Sequence, residues 1–255
     1  CALAGRLLRC PMTPGSSVFM FMAKHQKEFG IAVEQAEDEI AAVNMAIGAS
    51  FAGARSMVST SGGGFALMCE GVSLSAMTET PVVIHLAQRP GPATGLPTRT
   101  EQADLELALY AGHGEFPRAI FAPGTPKDCF EMTKKAFYIA DKYQIPVFVL
   151  SDQYLVDSIF DCPCFNKPET PLKHIFETEP GYMRYRNSPN GVSPRGVPGY
   201  GKGYVCADSD EHDETGHITE SGNMRVLMNK KRISKYKGLL QETEEPELIG
   251  NPDYE

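Results

Sequence analysis

Short apolar, β-branched segments alternate with longer helical stretches through residues 31–151. This alternation is typical of βαβ units, which assemble into a parallel sheet. The patterns predict strands at 31–34, 56–60, 81–87, 119–122 and 145–151. Helices are predicted between them, at 37–54, 65–78, 101–110 and 126–143. We therefore expect an α/β fold with a mostly parallel sheet and helices on both faces.

The chain divides into three predicted regions. Residues 1–155 are expected to form the α/β domain, truncated at its N-terminus. Residues 156–241 are predicted to be a long irregular extension, rich in proline and glycine, that ends in a basic helix at 222–241 packed on the same domain. The acidic stretch at 207–220 is interpreted as a solvated loop. Residues 242–255 are interpreted as an acidic linker to a missing C-terminal domain.

Composition excludes several classes of function. The chain has 24 Lys and Arg against 32 Asp and Glu, a net charge of −8, and no basic stripe, so nucleic acid is not expected as a partner. No apolar segment reaches the roughly 20 residues that span a bilayer. The seven cysteines contain no C-x-x-C pair, which argues against a zinc ribbon or a ferredoxin-type cluster on this chain. We expect reduced, mostly buried thiols in a cytoplasmic protein.

Two short motifs follow predicted strands and open predicted helices. Glu37-Asp38-Glu39 is the first motif, and Ser61-Gly62-Gly63-Gly64 is the second. The carboxyl ends of parallel strands are where open α/β folds bind ligands. Acidic residues in a first helical turn also simply complement the helix dipole, and a glycine-rich segment is also an ordinary tight turn. The residues alone leave both interpretations open.

Two further positions are candidates for binding an anion. Arg89 lies in a loop with three prolines and two glycines that leaves the predicted strand 81–87. A guanidinium there can pair bidentately with a carboxylate or phosphate, although a surface arginine with its head in water is the alternative. Thr13 lies between Pro11 and Pro14, where its hydroxyl can contact an anion or cap the following helix.

Taken together, several ordered motifs resemble the alpha subunit of 2-oxoacid:ferredoxin oxidoreductases, and are most similar to the 2-oxoglutarate type. The motifs that carry the resemblance are Met12-Thr13-Pro14, Glu37-Asp38-Glu39-Ile40-Ala41-Ala42, Thr60-Ser61-Gly62-Gly63-Gly64-Phe65 and Gly95-Leu96-Pro97-Thr98-Arg99-Thr100-Glu101-Gln102. The chain departs from the family at Cys10 and Met12, where tyrosine and isoleucine are usual, and at Gly63, where proline is frequent.

The resemblance implies a pyrimidine-binding domain for thiamine diphosphate. The implied reaction is the oxidative decarboxylation of a 2-oxoacid, here 2-oxoglutarate, with coenzyme A to acyl-CoA, carbon dioxide and reduced ferredoxin. Glu39 is implied as the catalytic carboxyl that hydrogen-bonds the aminopyrimidine, a role that needs a protonated or proton-sharing group. The other implied contacts are Ser61, Gly62 and Gly63 to the cofactor, and Thr13 and Arg89 to the substrate carboxylate.

The resemblance also implies a partner. Mg²⁺ and an iron–sulfur cluster are expected on a separate beta subunit, with no metal ligand on this chain and with thiamine diphosphate bound between the two chains. Ferredoxin is the expected electron acceptor. Two alternatives stay open: a thiamine-dependent decarboxylase or synthase domain without electron transfer, and a non-catalytic assembly subunit of the same fold.

Overall fold

The computed structural model describes residues 5–9, 13–165, 174–244 and 250. The family departures at Cys10 and Met12, the thiols of Cys1 and Cys10, and most of the predicted linker lie outside these residues. The strands are β1 (Gly5–Arg9), β2 (Ala32–Gln35), β3 (Arg55–Thr60), β4 (Val82–Gln88), β5 (Ala119–Phe121) and β6 (Pro146–Asp152). The helices are α1 (Ser16–Phe29), α2 (Glu39–Phe51), α3 (Gly62–Met77), α4 (Leu105–Leu109), α5 (Pro126–Tyr143), α6 (Gln153–Asp157), α7 (Gly222–Ser234) and α8 (Tyr236–Leu239).

The six strands form one parallel sheet in the order β2-β1-β3-β4-β6-β5. Strands β4 and β6 pair over seven residues, from Val82 opposite Pro146 to Gln88 opposite Asp152. Every residue of β4 is buried, as expected for a central strand that is covered on both faces. The predicted α/β fold is therefore confirmed, and all strand carboxyl ends lie at the same edge of the sheet.

Each face of the sheet carries its own hydrophobic core. One core joins the sheet to α2 and α3, and the other joins it to α5 and α8. Helices α2 and α3 approach closely at Gly71, because a Cβ atom there would lie 2.5 Å from Cγ1 of Val43. Helix α5 begins with the capping box of Thr125 and Asp128, so its start agrees with the predicted boundary.

Some predicted boundaries are wrong. The helix predicted at 101–110 is confined to Leu105–Leu109, because residues 91–103 form a loop at the surface. The helix predicted from residue 65 already begins at Gly62. The single helix predicted at 222–241 is divided between α7 and α8 at Lys235, whose ammonium group is buried and donates to the carbonyl of Gln144 at 3.2 Å.

The region between α6 and α7 contains no helix or extended strand in its described part, and it contacts the α/β layer through polar groups. Arg184 donates to the carbonyl of Glu79 at 2.8 Å, and Arg195 donates to the carbonyl of Ser50. The expectation of a solvated acidic loop is wrong at His212, which is fully buried with its ring 4.0 Å from that of Tyr185. The reason is that long-range packing, rather than local charge, decides its exposure.

The structure bears on two further expectations, the burial of the cysteines and the absence of a membrane-spanning segment. Cys162 and Cys164 are exposed free cysteines, so the prediction of mostly buried thiols is wrong for this pair. Their segment follows α6, and residues 159–165 are all exposed, so the chain lies on the surface there rather than in the core. None of the helices in the described ranges is both long and apolar enough to cross a membrane.

Candidate active site

The predicted site residues follow four neighbouring strands at one edge of the sheet. Thr13 follows β1, Glu39 follows β2, Gly62 follows β3 and Arg89 follows β4. Because neighbouring strands lie about 4.8 Å apart, the ends of β2 and β4 are separated by about 14 Å. This edge therefore offers a row of functional groups that a ligand of two linked rings could span.

Glu39 is the first residue of α2 and points into the protein. The Asp38 side chain caps this helix by accepting a 2.7 Å hydrogen bond from the backbone N–H of Ala41. Glu39 is only 5% exposed, and its Oε1 atom has no hydrogen-bond partner among the described residues. Leaving a buried polar atom unpaired costs about 1–3 kcal/mol, so a ligand that pairs with Oε1 would recover this energy.

The glycine-rich motif forms the beginning of α3 rather than a separate turn. Ser61 is buried, and its carbonyl accepts the N–H of Phe65 at 2.7 Å, which closes the first helical turn. Gly62 and Gly63 are the first helical residues, the former buried and the latter exposed. Backbone N–H groups in a first turn have no partners within the helix, so they are available to a polar ligand at this edge.

Arg89 is buried and contacts Thr13. Its side chain is 6% exposed, and Nη1 donates to the Thr13 carbonyl at 2.7 Å. Nε has no hydrogen-bond partner within the described ranges, and no carboxylate of these residues lies within 4.0 Å of the guanidinium nitrogens. The interpretation as a surface arginine is therefore wrong. A buried cation with unused donors is suited to binding a carboxylate.

Asp104 is a site residue that the sequence analysis missed. It is 9% exposed, and its backbone N–H donates to the Oε1 atom of Gln88 at 3.1 Å. Burial raises the pKa of its carboxyl group, although Arg89 counteracts this through its backbone N–H and its charge. A Cβ atom on Gly62 would lie 2.1 Å from Oδ1 of Asp104, so the carboxylate fills the space beside that glycine. An acidic residue before an apolar segment is the only sequence signal, and it equally indicates an ordinary helix cap.

The structure thus brings Arg89 against Thr13 and Asp104 against Gly62, and the hydrogen bond from Asp104 to Gln88, the residue before Arg89, joins the two pairs. Glu39 lies at the same edge, but no described contact joins it to Arg89. Within the described ranges, no three His, Cys, Asp or Glu residues are grouped so that they could hold a metal ion. The arrangement can therefore bind a carboxylate at one end and a hydrogen-bonding ring at the other.

Comparison with known proteins identifies the family. The family described as pyruvate flavodoxin/ferredoxin oxidoreductase, thiamine diphosphate-binding, matches residues 7–230. The alpha subunit of 2-oxoacid:ferredoxin oxidoreductase 1 from Sulfurisphaera tokodaii is 40% identical over 242 residues, covering 88% of this chain and 38% of that protein. The 2-oxoglutarate oxidoreductase subunit KorA from Mycobacterium tuberculosis is 44% identical over 173 residues, covering 67% of this chain and 26% of that protein.

A solved structure agrees with these relatives. The 2-oxoglutarate:ferredoxin oxidoreductase from Magnetococcus marinus, with 2-oxoglutarate, coenzyme A and succinyl-CoA bound, superposes with a TM-score of 0.86 at 37% identity. The match covers 95% of this chain and 43% of the other, so this chain spans less than half the length of each of these three relatives. The chain belongs to the pyruvate flavodoxin/ferredoxin oxidoreductase family and corresponds to its thiamine diphosphate-binding domain.

Proposed function

We propose that this chain is part of the catalytic alpha subunit of a thiamine diphosphate-dependent 2-oxoacid:ferredoxin oxidoreductase. The proposed reaction is the oxidative decarboxylation of a 2-oxoacid with coenzyme A to an acyl-CoA, carbon dioxide and reduced ferredoxin. The family match and the names of the relatives support this reaction class. The relatives named for 2-oxoglutarate favour that substrate.

The observation that carries the proposal is the pair of incompletely bonded, buried groups at one sheet edge. Glu39 has an unpaired Oε1 atom, and Arg89 has an unpaired Nε atom. A carboxyl group matches a ring nitrogen, and a guanidinium matches the carboxylate of a 2-oxoacid. The residues therefore fit thiamine diphosphate and its substrate, with the glycine-rich start of α3 between them.

The residues of this chain would bind and orient the reactants. When bound, thiamine diphosphate supplies the carbanion chemistry for decarboxylation. Glu39 would hold a proton at its carboxyl group and share it with the pyrimidine ring, and Asp38 fixes the helix that presents it. Arg89 would hold the substrate carboxylate, while the Thr13 carbonyl restricts where its guanidinium points. Burial of both side chains excludes water from these interactions and strengthens them.

The remaining components are assigned to a partner in this proposal. Mg²⁺ and an iron–sulfur cluster would belong to a beta subunit, and the cofactor would lie between that subunit and this chain. Ferredoxin would accept the electrons, and the complex would be cytoplasmic. The alpha-subunit names of the relatives support a complex of several chains.

The test of Glu39 is Glu39→Gln in the reconstituted complex. Glutamine keeps the shape of the side chain but cannot share a carboxyl proton. We expect turnover to fall by at least about 100-fold, which is the contribution typical of a positioned acid or base. Glu34→Gln, an exposed acid on β2, is the matched control and should leave turnover unchanged. Near-normal turnover of Glu39→Gln would refute the assignment.

Measurements of acceptor reduction and of cofactor binding distinguish the proposed enzyme from a non-redox thiamine enzyme and from an assembly subunit. Reduction of ferredoxin or viologen that depends on a 2-oxoacid and coenzyme A supports the proposal, whereas decarboxylation without reduction indicates a non-redox enzyme. Calorimetry with thiamine diphosphate and Mg²⁺, with and without the beta subunit, tests whether this chain is a non-catalytic assembly subunit. If the complex binds no cofactor, this chain is an assembly subunit.

A further inference from the structure

Asp104 is a buried carboxylate in a segment that is otherwise exposed. Residues 91–103 precede it as a loop at the surface, yet Asp104 itself is 9% exposed. Burying a carboxylate is unfavourable unless other groups compensate for the lost water. Its Oδ2 atom has no hydrogen-bond partner among the described residues, so helix capping alone does not account for its position.

The contacts of Asp104 connect both ends of this loop. Its backbone N–H donates to Gln88, the last residue of β4 and the neighbour of Arg89 in the chain. The backbone N–H and the charge of Arg89 stabilise the carboxylate of Asp104, although the two side chains form no ion pair within 4.0 Å among the described residues. Asp104 thus fixes the backbone from which the Arg89 side chain extends.

The same carboxylate contacts the beginning of α3. Its Oδ1 atom takes the position that a Cβ atom on Gly62 would need, at 2.1 Å. Gly62 belongs to the motif that we propose to contact the cofactor, and Arg89 is the group that we propose to hold the substrate. Asp104 therefore lies between the two halves of the proposed site.

We propose that Asp104 is a positioning residue for Arg89. By bonding Gln88 through its N–H while its carboxylate packs against Gly62, it sets the direction of the Arg89 guanidinium relative to the cofactor-binding turn. Arg89 receives a second constraint from the Thr13 carbonyl, so the side chain is held at both ends before the substrate binds. Because Asp104 forms no ion pair with Arg89, the guanidinium keeps its unpaired Nε donor for the substrate carboxylate. This inference rests on the proposed function.

Kinetics of the reconstituted complex test the proposal. Asp104→Ala removes the carboxylate that packs against Gly62, and we expect the KM for 2-oxoglutarate to rise about tenfold with kcat little changed. Asp104→Asn keeps the shape of the side chain at this position and should restore most of the affinity. Glu106→Ala, an exposed acid on α4, is the matched control and should not change KM.

A double-mutant cycle separates positioning from general disruption. If Asp104 acts through Arg89, then Asp104→Ala should add nothing to the raised KM of Arg89→Ala. A readout without turnover is the free energy of unfolding: Gly62→Ala should destabilise the wild type more than it destabilises Asp104→Ala, because the clash with Oδ1 is then absent.

The outcomes distinguish this proposal from the proposed function. A parent complex that does not turn over 2-oxoacids would overturn the proposed function and the Asp104 assignment with it. A working parent in which the effects of Asp104→Ala and Arg89→Ala on KM multiply would overturn the Asp104 assignment alone. If Asp104→Ala does not fold, Gln88→Met removes the acceptor of the Asp104 N–H instead. An unchanged KM in that variant would equally overturn the assignment.

Discussion

Glu79 is the carboxylate that anchors the C-terminal helices to the α/β layer. It is completely buried, with its two oxygens 2.6 Å from the Nζ atoms of Lys231 and Lys235. Arg184 donates to its backbone carbonyl at 2.8 Å. Burial alone would raise the pKa of Glu79, but Lys235 and Lys231 outweigh it and hold that pKa far below its ordinary value of 4.5.

Glu79→Gln would preserve the volume of the side chain and remove its charge. Two buried ammonium groups would then have no anion opposite them. Removing one partner from a buried ion pair costs about 3–5 kcal/mol. For a chain of this length, each kcal/mol lowers the melting temperature by about 2–4 °C, so the expected loss is roughly 6–20 °C. Because the pKa of Glu79 is lowered by folding, its stabilisation is fully present above about pH 4.5 and is lost as the pH falls below that value.

Denaturant and thermal unfolding at pH 7 measure this effect. The matched control is Glu131→Gln, which removes a carboxylate 3.5 Å from Lys134 in a pair that is about half exposed. An exposed pair contributes at most about 1 kcal/mol, so the control should unfold close to the wild type. If Glu79→Gln were no more destabilising than Glu131→Gln, the argument that this buried cluster anchors the extension would be refuted.

Three further changes have defined expected outcomes. Gly62→Ala should destabilise the protein by about 1–3 kcal/mol because of its contact with Asp104, whereas Gly48→Ala, which has open space in α2, should be neutral or stabilising in the same unfolding assay. Thr125→Ala should cost about 1 kcal/mol in chemical denaturation through loss of the α5 capping box. Burial lowers the pKa of His212, so unfolding free energies measured against pH should decrease below about pH 6.5, and His212→Gln should flatten that slope.

The strands could be predicted because their information is local. Val82 to Ala87 and Pro146 to Leu150 are almost continuously apolar, and a segment of that kind is stable only when both faces are covered. The parallel order follows from the helices between them. The resemblance to the family could also be recognised from local motifs, and the family match confirms it.

The missed features depend on contacts between distant parts of the chain. Lys231 lies 152 residues from Glu79, so the local sequence of α7 carries no information about the buried cluster that its basic residues form with that carboxylate. The burial of Arg89 depends on Thr13, 76 residues earlier, and local composition carries no information about that approach. Asp104 was missed for the same reason, because the position of its carboxylate depends on Gly62, at the beginning of another helix.

Buried acids at structural positions are paired with cations, whereas two buried acids at the candidate site are incompletely bonded. Glu79 faces two lysines, and Asp141 is paired with Arg55, so the fold neutralises these carboxylates with its own cations. In the part of the chain that the structure describes, the buried carboxyl oxygens with neither a hydrogen bond nor an ion pair are Oε1 of Glu39 and Oδ2 of Asp104. Both lie at the carboxyl edge of the sheet, where parallel α/β folds bind ligands. A fold that pairs its other buried acids and leaves these two incompletely bonded is arranged for a ligand at this edge.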